Sequence, residues 1–236
     1  MELLNQHPDW AFGFEDETWW SRLSHPNLHS WAENGEFLKL IEKTHRKDEP
    51  DPKALACYGL YVRWADPTTI ISEEVWLRFV VGNPRSKLTI GYLEWLETQL
   101  QAAGKRVLVM FWDHASWHIS KMVRSWVHTH NREVKKTGLG VRFLICMLPK
   151  KSPWLNPIEP MWIHAKRKVV EPDRKLSADE LVNRVCAVFD QPVLPLIKIP
   201  ENVDRTCTRR FAHDWTLRFE IAAWENARNA RKAQLC

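Results

Sequence analysis

The chain has 236 residues, of which 44% are apolar and 27% charged, a composition typical of a soluble globular protein with one substantial core. A formal charge of +5 and an isoelectric point near 9.0 favour an anionic partner, but an excess of this size does not by itself indicate nucleic acid. The sequence contains no signal peptide, no membrane-spanning run and no disulfide or CxxC zinc framework among its five cysteines, so we expect a cytoplasmic protein.

Three strands and a helix are predicted in the first half of the chain. Residues 10–18 alternate apolar side chains with period two and run into acidic residues, as a strand does when it delivers carboxylates at its end. A short second strand is predicted within 27–37 and a third over 55–64, and together the three would form a meander. Apolar residues at helical spacing predict a helix over 86–103.

Strands and helices alternate in the second half. Buried strands are predicted over 105–113 and 141–148, separated by a helix over 118–131 and a flexible polar linker up to residue 140. Further helices are predicted to begin near Asn156 and to cover 177–189. The order β-β-β-α-β-α-β-α predicts an α/β fold with a mixed central sheet flanked by helices. We expect a core domain over 1–175 and a helical, basic C-terminal extension over 176–236.

Three acidic residues are predicted at edges of this sheet. Asp16 ends the first strand, Asp113 ends the fourth, and Glu159 lies in the first turn of the helix after the fifth. If the first and fourth strands are neighbours, the carboxylates come together and need a hard cation such as Mg²⁺ or Mn²⁺ between them. A pair of such ions suits phosphodiester cleavage or strand transfer. Taken singly, each residue has a structural explanation as a turn former, a cap or a partner of the helix dipole.

Basic side chains surround the segment that carries Glu159. Candidates for contact with a DNA backbone precede the helix at Lys150 and Lys151 and follow in it at Lys166, Arg167 and Lys168. A solvated helix face is the alternative explanation of the second group. The fourteen tryptophans are expected mainly in packing, with base stacking as the lesser option.

A zinc site is not expected from the histidines. His114 and His118 are four residues apart, but neither an HExxH glutamate nor a cysteine cluster accompanies them.

The segment LPKKSPWLNPIEPMWIHAKRK, residues 148–168, resembles the signature of the DDE transposases of the mariner-like insertion-sequence group, also described as DDE superfamily endonucleases. VLVMFWDHASWH resembles the segment that carries the second aspartate of that family, and FGFEDETWW the segment that carries the first. Across roughly residues 10–170, the resemblance implies an RNase H-like fold in which Asp16, Asp113 and Glu159 bind the metal ions.

The chain departs from the family pattern in several places. His114 stands where the family commonly has asparagine, and Glu15 and Glu17 flank Asp16 as alternative first ligands. Only 15 residues precede Asp16, whereas the family usually carries helix-turn-helix modules there. We therefore expect recognition of element ends to come from a separate helix-turn-helix polypeptide, from an upstream segment or from the C-terminal tail.

The sequence thus predicts a magnesium- or manganese-dependent transposase catalytic domain. It would use two metal ions to cleave phosphodiesters at transposon ends and to transfer the 3′-OH strand to target DNA. Double-stranded DNA is the expected partner, with a homodimer possible and no membrane association. Two alternatives stay open, namely a non-specific RNase H-like nuclease and an inactive remnant that only binds DNA.

Overall fold

A computed structural model of the chain describes Leu4 and residues 6–24, 43–65 and 71–199. The strands, in chain order, are β1 (Trp10–Ser21), β2 (Ala54–Trp64), β3 (Ser72–Val80), β4 (Val107–Trp112) and β5 (Arg142–Met147). The helices of eight residues or more are α1 (Ser86–Ala102), α2 (Lys121–Thr137), α3 (Ile158–Val169) and α4 (Ala178–Val188), and a short 3₁₀ turn (Pro153–Leu155) comes before α3. Within these described ranges, no helix is both long and apolar enough to cross a membrane.

The five strands form one mixed sheet in the order β3-β2-β1-β4-β5. Strand β2 is antiparallel to both β1 and β3, whereas β4 lies parallel to both β1 and β5. Helices connect the parallel strands because a parallel pair requires a crossover. The predicted neighbourhood of the first and fourth strands is therefore confirmed, and β1 occupies the centre of the sheet.

Each face of the sheet has its own apolar core. Alternate residues of β2 face opposite sides, so that Tyr58 and Leu60 pack under α1 and α2 while Cys57 and Tyr61 pack under α3 and α4. Almost every residue of β2 is buried, as expected for a strand covered on both faces. The predicted mixed sheet with helices on both faces is confirmed.

The helix ends follow from local sequence. Ser120 caps α2 by accepting a hydrogen bond from the backbone N–H of Val123, and Gly138 ends the helix in the left-handed conformation at φ 71°. Ser177 and Glu180 form a capping box at the start of α4. These signals are short-range, so they fix where the helices begin and end independently of the tertiary structure.

Several predicted boundaries need correction. Helix α2 begins at Lys121 rather than at 118 and continues to Thr137, so most of the predicted flexible linker is helical. Strand β1 continues to Ser21, which places Asp16 inside the strand instead of at its end. The strand β3 was not predicted, while the predicted strand within 27–37 and the tail beyond Ile199 lie outside the described residues.

Candidate active site

The pairing of β1 with β4 brings two of the predicted acidic residues level with each other. The parallel register runs from Trp10–Val107 to Phe14–Phe111, and its continuation past the last pair aligns Asp16 with Asp113. Beyond Phe14, β1 remains paired with β2 only, as in the pair Asp16–Gly59. Asp16 therefore borders an open edge of the sheet, although it does not end its strand.

Helix α3, which packs on one face of the sheet, supplies the third acidic residue. Glu159 lies in the first turn of α3, as predicted, and is partly buried. One turn later, the buried Trp162 donates a hydrogen bond from its indole Nε1 to Asp16 Oδ2 at 2.9 Å. Because residues three apart share one face of a helix, the same face that contacts Asp16 carries Glu159.

The start of α3 is anchored directly to β1. Asn156, which is 3% exposed, donates a hydrogen bond from Nδ2 to the backbone carbonyl of Glu15 at 2.9 Å. Its Oδ1 accepts from the backbone N–H of Ile158, at the beginning of the helix. The LNPIE segment thus joins the first turn of α3 to the residue that precedes Asp16.

A glycine in β2 makes room for this contact. A Cβ atom at Gly59 would lie 2.3 Å from the Trp162 ring, closer than any real carbon contact. Since Gly59 is the register partner of Asp16, the indole can pack closely against β2 and still reach the carboxylate. The glycine is therefore required by close approach to a side chain, and not by its own backbone conformation.

The raised pKa of Asp16 indicates that no positively charged side chain offsets its negative charge among the described residues. Burial, the Glu159 carboxylate and, more weakly, Glu17 and Asp113 raise the pKa of Asp16 to about 7, against the lowering effect of the Trp162 hydrogen bond. The carboxylates of Glu159 and Asp113 are thus each close enough to Asp16 to disfavour its negative charge. Crowded oxygen donors of this kind fit a hard divalent cation.

Asp113 differs from Asp16 in exposure and in partners. Its side chain is 58% exposed, and its Oδ1 accepts hydrogen bonds from His118 Nδ1 at 2.9 Å and from the backbone N–H of Ala115 at 2.7 Å. The bond from His118 is the main cause that lowers the pKa of Asp113 below its ordinary value. This carboxylate is ionised and oriented before any cation arrives.

His118 is itself enclosed by acidic residues on the α2 side of the sheet. Glu17 Oε1 lies 3.0 Å from His118 Nε2 and also accepts a hydrogen bond from Trp117 Nε1 at 2.5 Å. Burial alone would lower the pKa of His118, but Glu15, Asp113 and Glu17 raise it to about 11. Glu15 and Glu17 therefore point away from Asp16, because successive residues of a strand face opposite sides of the sheet.

The predicted DNA-binding residues are all exposed. Lys150 and Lys151 lie in the turn between β5 and the 3₁₀ turn, and Lys166, Arg167 and Lys168 lie in the last turn of α3. In the 3₁₀ turn between these two groups, Trp154 exposes 75% of its surface. The basic groups thus lie before and after Glu159 on one continuous segment of the chain.

Sequence reasoning missed the residues that orient the carboxylates. Asn156 and Trp162 both belong to the quoted 148–168 segment, but nothing in their spacing indicated which atoms of β1 they contact. Gly59 carries no signal at all until the position of Trp162 is known.

Comparison with known proteins identifies the family and the fold that this chain resembles. Residues 69–182, which include Asp113 and Glu159, match the family described as DDE superfamily endonuclease. The chain is similar in structure to Mos1 transposase in its paired-end complex with the left transposon end, at 14% identity and a TM-score of 0.53. It is also similar to the Mos1 strand transfer complex, at 12% identity and a TM-score of 0.51. A search of curated proteins gives no match.

Both similarities cover 81% of this chain and 52% of the Mos1 chain, so the chain spans about half the length of those proteins. At these identities the similarity shows the fold, and the predicted RNase H-like α/β architecture is confirmed. Together with the family match over residues 69–182, it confirms the resemblance to the DDE superfamily endonucleases that was found in the sequence.

Proposed function

We propose that the chain is the catalytic domain of a metal-dependent DNA transposase. It would cleave phosphodiester bonds at transposon ends and transfer the freed 3′-OH strand to target DNA. The observation that carries this proposal is that the carboxylates of Glu159 and Asp113 both raise the pKa of Asp16 beside the β1–β4 edge, in a chain whose residues 69–182 match the DDE superfamily endonucleases. Action on DNA would place the protein with the nucleoid.

The three carboxylates fit two Mg²⁺ or Mn²⁺ ions. The carboxylates of Glu159 and Asp113 repel the charge of the partly buried Asp16, and a hard cation would relieve that repulsion. All the donor atoms are oxygens, which such a cation prefers. When bound, such a pair of ions activates a water or a terminal hydroxyl and stabilises the leaving oxygen of a phosphodiester.

The protein itself would contribute orientation and charge. The indole of Trp162 fixes one oxygen of Asp16, and the Asn156 side chain holds α3 against β1, so that Glu159 keeps its position over the sheet edge. His118 holds one oxygen of Asp113. Such positioning removes the need to reorganise the carboxylates during the reaction.

The exposed basic residues would neutralise phosphates on either side of the acidic centre. DNA approaching Asp16 and Glu159 meets a negative site, and the basic residues before α3 and in its last turn offset that repulsion. Of the two groups, Lys166, Arg167 and Lys168 lie about two turns after Glu159 along the helix. These three residues would hold the DNA backbone while the carboxylates and their metal ions act on one phosphodiester bond.

The proposal is tested by metal binding and cleavage on the same samples. Mn²⁺ is titrated calorimetrically into the wild-type chain and into Glu159→Gln, with and without duplex DNA. Cleavage and strand transfer are then measured on supercoiled plasmid and on linear duplexes that carry candidate ends. Glu94→Gln is the matched control, because Glu94 is exposed on α1, across the sheet from α3. We expect metal-dependent cleavage in the wild type and the control, and a loss of at least ~100-fold in Glu159→Gln.

The results separate the alternatives. Metal binding with cleavage of any duplex, and no preference for element ends, would identify a non-specific nuclease. DNA binding without metal binding would identify an inactive remnant and refute the proposal. If strand transfer requires an added helix-turn-helix polypeptide or a second copy of the chain, that requirement defines the assembly.

A further inference from the structure

A second group of metal-ligating side chains lies on the other face of β1 from Asp16. Glu15 and Glu17 point from the strand toward the α2 side, where they meet His118 from the turn before α2. One ligand atom of each residue lies within 4.8 Å of the other two. We call these three residues the Glu15–Glu17–His118 cluster.

Glu15 is the unexplained member of this cluster. It is 1% exposed, and neither of its carboxylate oxygens has a hydrogen-bond partner among the described residues. Its Oε2 instead lies 3.3 Å from His118 Nε2, so the carboxylate is aimed into the cluster. A buried carboxylate without hydrogen bonds is costly unless a cation lies against it.

The distances within the cluster suit a shared ion. His118 Nε2 lies 3.0 Å from Glu17 Oε1 and 3.3 Å from Glu15 Oε2. Ligand atoms about 2.1 Å from a tetrahedral Zn²⁺ are roughly 3.4 Å from one another. Small movements of the side chains would therefore suffice to place an ion between the three atoms.

The partner of the other imidazole nitrogen supports this arrangement. His118 Nδ1 lies 2.9 Å from Asp113 Oδ1, and its Nε2 faces Glu15 and Glu17. Histidines that bind metals commonly donate their second nitrogen to a carboxylate in this way.

We propose that the Glu15–Glu17–His118 cluster binds one Zn²⁺ ion, which ties β1 to the turn that precedes α2. The imidazole nitrogen favours a borderline ion such as Zn²⁺ over the Mg²⁺ that suits an all-oxygen site. The expectation from sequence that His114 and His118 form no zinc pair is compatible with this site, because His118 meets two glutamates of β1 instead of His114.

The test uses the full chain with Glu159→Gln, so that binding at the three carboxylates of the other face is suppressed. The protein is loaded with ZnSO₄, dialysed, and its metal content is counted by plasma mass spectrometry. Glu15→Gln is then added, with His114→Gln as the matched control next to Asp113. We expect about one Zn²⁺ per chain in the parent and in the control, and an affinity at least ~10-fold lower with Glu15→Gln.

Replacement of zinc by Co²⁺ gives a second readout that does not depend on a cluster variant folding. Four-coordinate Co²⁺ with a nitrogen ligand absorbs visible light strongly, whereas six-coordinate Co²⁺ bound only to oxygen absorbs weakly. We expect strong absorption from the Glu159→Gln protein. Weak absorption, no retained zinc, or zinc retained undiminished with Glu15→Gln would overturn the proposal, and none of these results depends on whether the chain cleaves DNA.

Discussion

Replacement of Asp16 by asparagine is expected to stabilise the metal-free protein while abolishing metal-dependent cleavage. Burial and the nearby carboxylates, Glu159 first among them, raise the pKa of Asp16 from an ordinary value of 3.8 to about 7. At about 1.4 kcal/mol per pKa unit, the ionised carboxylate costs roughly 4 kcal/mol of folding free energy at most. Solvent access to the side chain reduces this figure, so we expect a gain of about 1 to 3 kcal/mol.

The sign of the effect depends on pH. Between the unfolded value near 3.8 and the folded value near 7, the native protein keeps a proton on Asp16 that the unfolded chain has lost. The free energy of unfolding contributed by this group therefore falls as the pH rises through that window and stays low above it. Asp16→Asn should accordingly be more stable than the wild type at about pH 8, and close to it at about pH 4.5.

Urea denaturation in EDTA at both pH values measures the difference. The asparagine keeps an oxygen that can accept the hydrogen bond from Trp162, so the packing is preserved. Asp113→Asn is the control of opposite sign, because the hydrogen bond from His118 lowers the pKa of Asp113 and its loss should destabilise the protein at pH 8. An Asp16→Asn protein no more stable than the wild type at pH 8, or equally stabilised at both pH values, would refute this account.

Three other predictions follow from the same contacts. Gly59→Ala should destabilise the protein by about 1–3 kcal/mol in urea denaturation and weaken Mn²⁺ binding, because its Cβ would displace Trp162, whereas Gly91→Ala on α1 should cost much less. Asn156→Ala should lower the free energy of unfolding by about 1–3 kcal/mol and reduce cleavage, with preserved cleavage contradicting the role given to its bond with the Glu15 carbonyl. Neutralising residues 166–168 should flatten the salt dependence of DNA binding by a slope of about 2 to 3, measured by fluorescence anisotropy, and an equal effect of neutralising Arg132, Lys135 and Lys136 on α2 would show that the position of the charge is unimportant.

Much of the sheet could be predicted because its signals are local. The apolar runs of β4 and β5 and the charged residues that bound them are visible in the sequence, and they place Asp113 directly after a buried strand. The helical spacing of apolar residues in α1 is equally clear, and the observed helix ends within one residue of the predicted boundary. Chain order alone then made β1 and β4 plausible neighbours.

Strand β3 and the last six residues of α2 were missed because their local signals are weak. Strand β3 lies at the edge of the sheet and begins with Glu73 and Glu74, whose charges hide its period. Arg63 on the neighbouring strand pairs with Glu73 at 2.5 Å, a contact that exists only after the strands have paired. In α2, Val134 is the buried residue that holds the polar second half in place, and one apolar residue in a charged run is too weak a signal.

The orientation of the three consecutive acidic residues of β1 could not be predicted from composition. The sequence predicted Asp16 as the first ligand and left Glu15 and Glu17 as alternatives. Packing distinguishes them, because Gly59 admits Trp162 on one face of the strand and Trp117 with His118 covers the other. The choice depends on a side chain more than 140 residues away in the chain, which no local pattern encodes.

Asp113 interacts with residues on both faces of β1, and it can do so because it lies just beyond the end of a strand. Because side chains alternate along a strand, Asp16 faces the α3 side of the sheet, and Glu15 and Glu17 face the α2 side. Asp113 follows the last residue of β4, so this alternation does not fix its direction. Its Oδ1 accepts both of its described hydrogen bonds, one of them from His118, while its charge raises the pKa of Asp16 across the strand. Any change in the Glu15–Glu17–His118 cluster that moves His118 must therefore move the Asp113 carboxylate. Asp16 and Glu159 are thus coupled to the cluster through the side chain of Asp113.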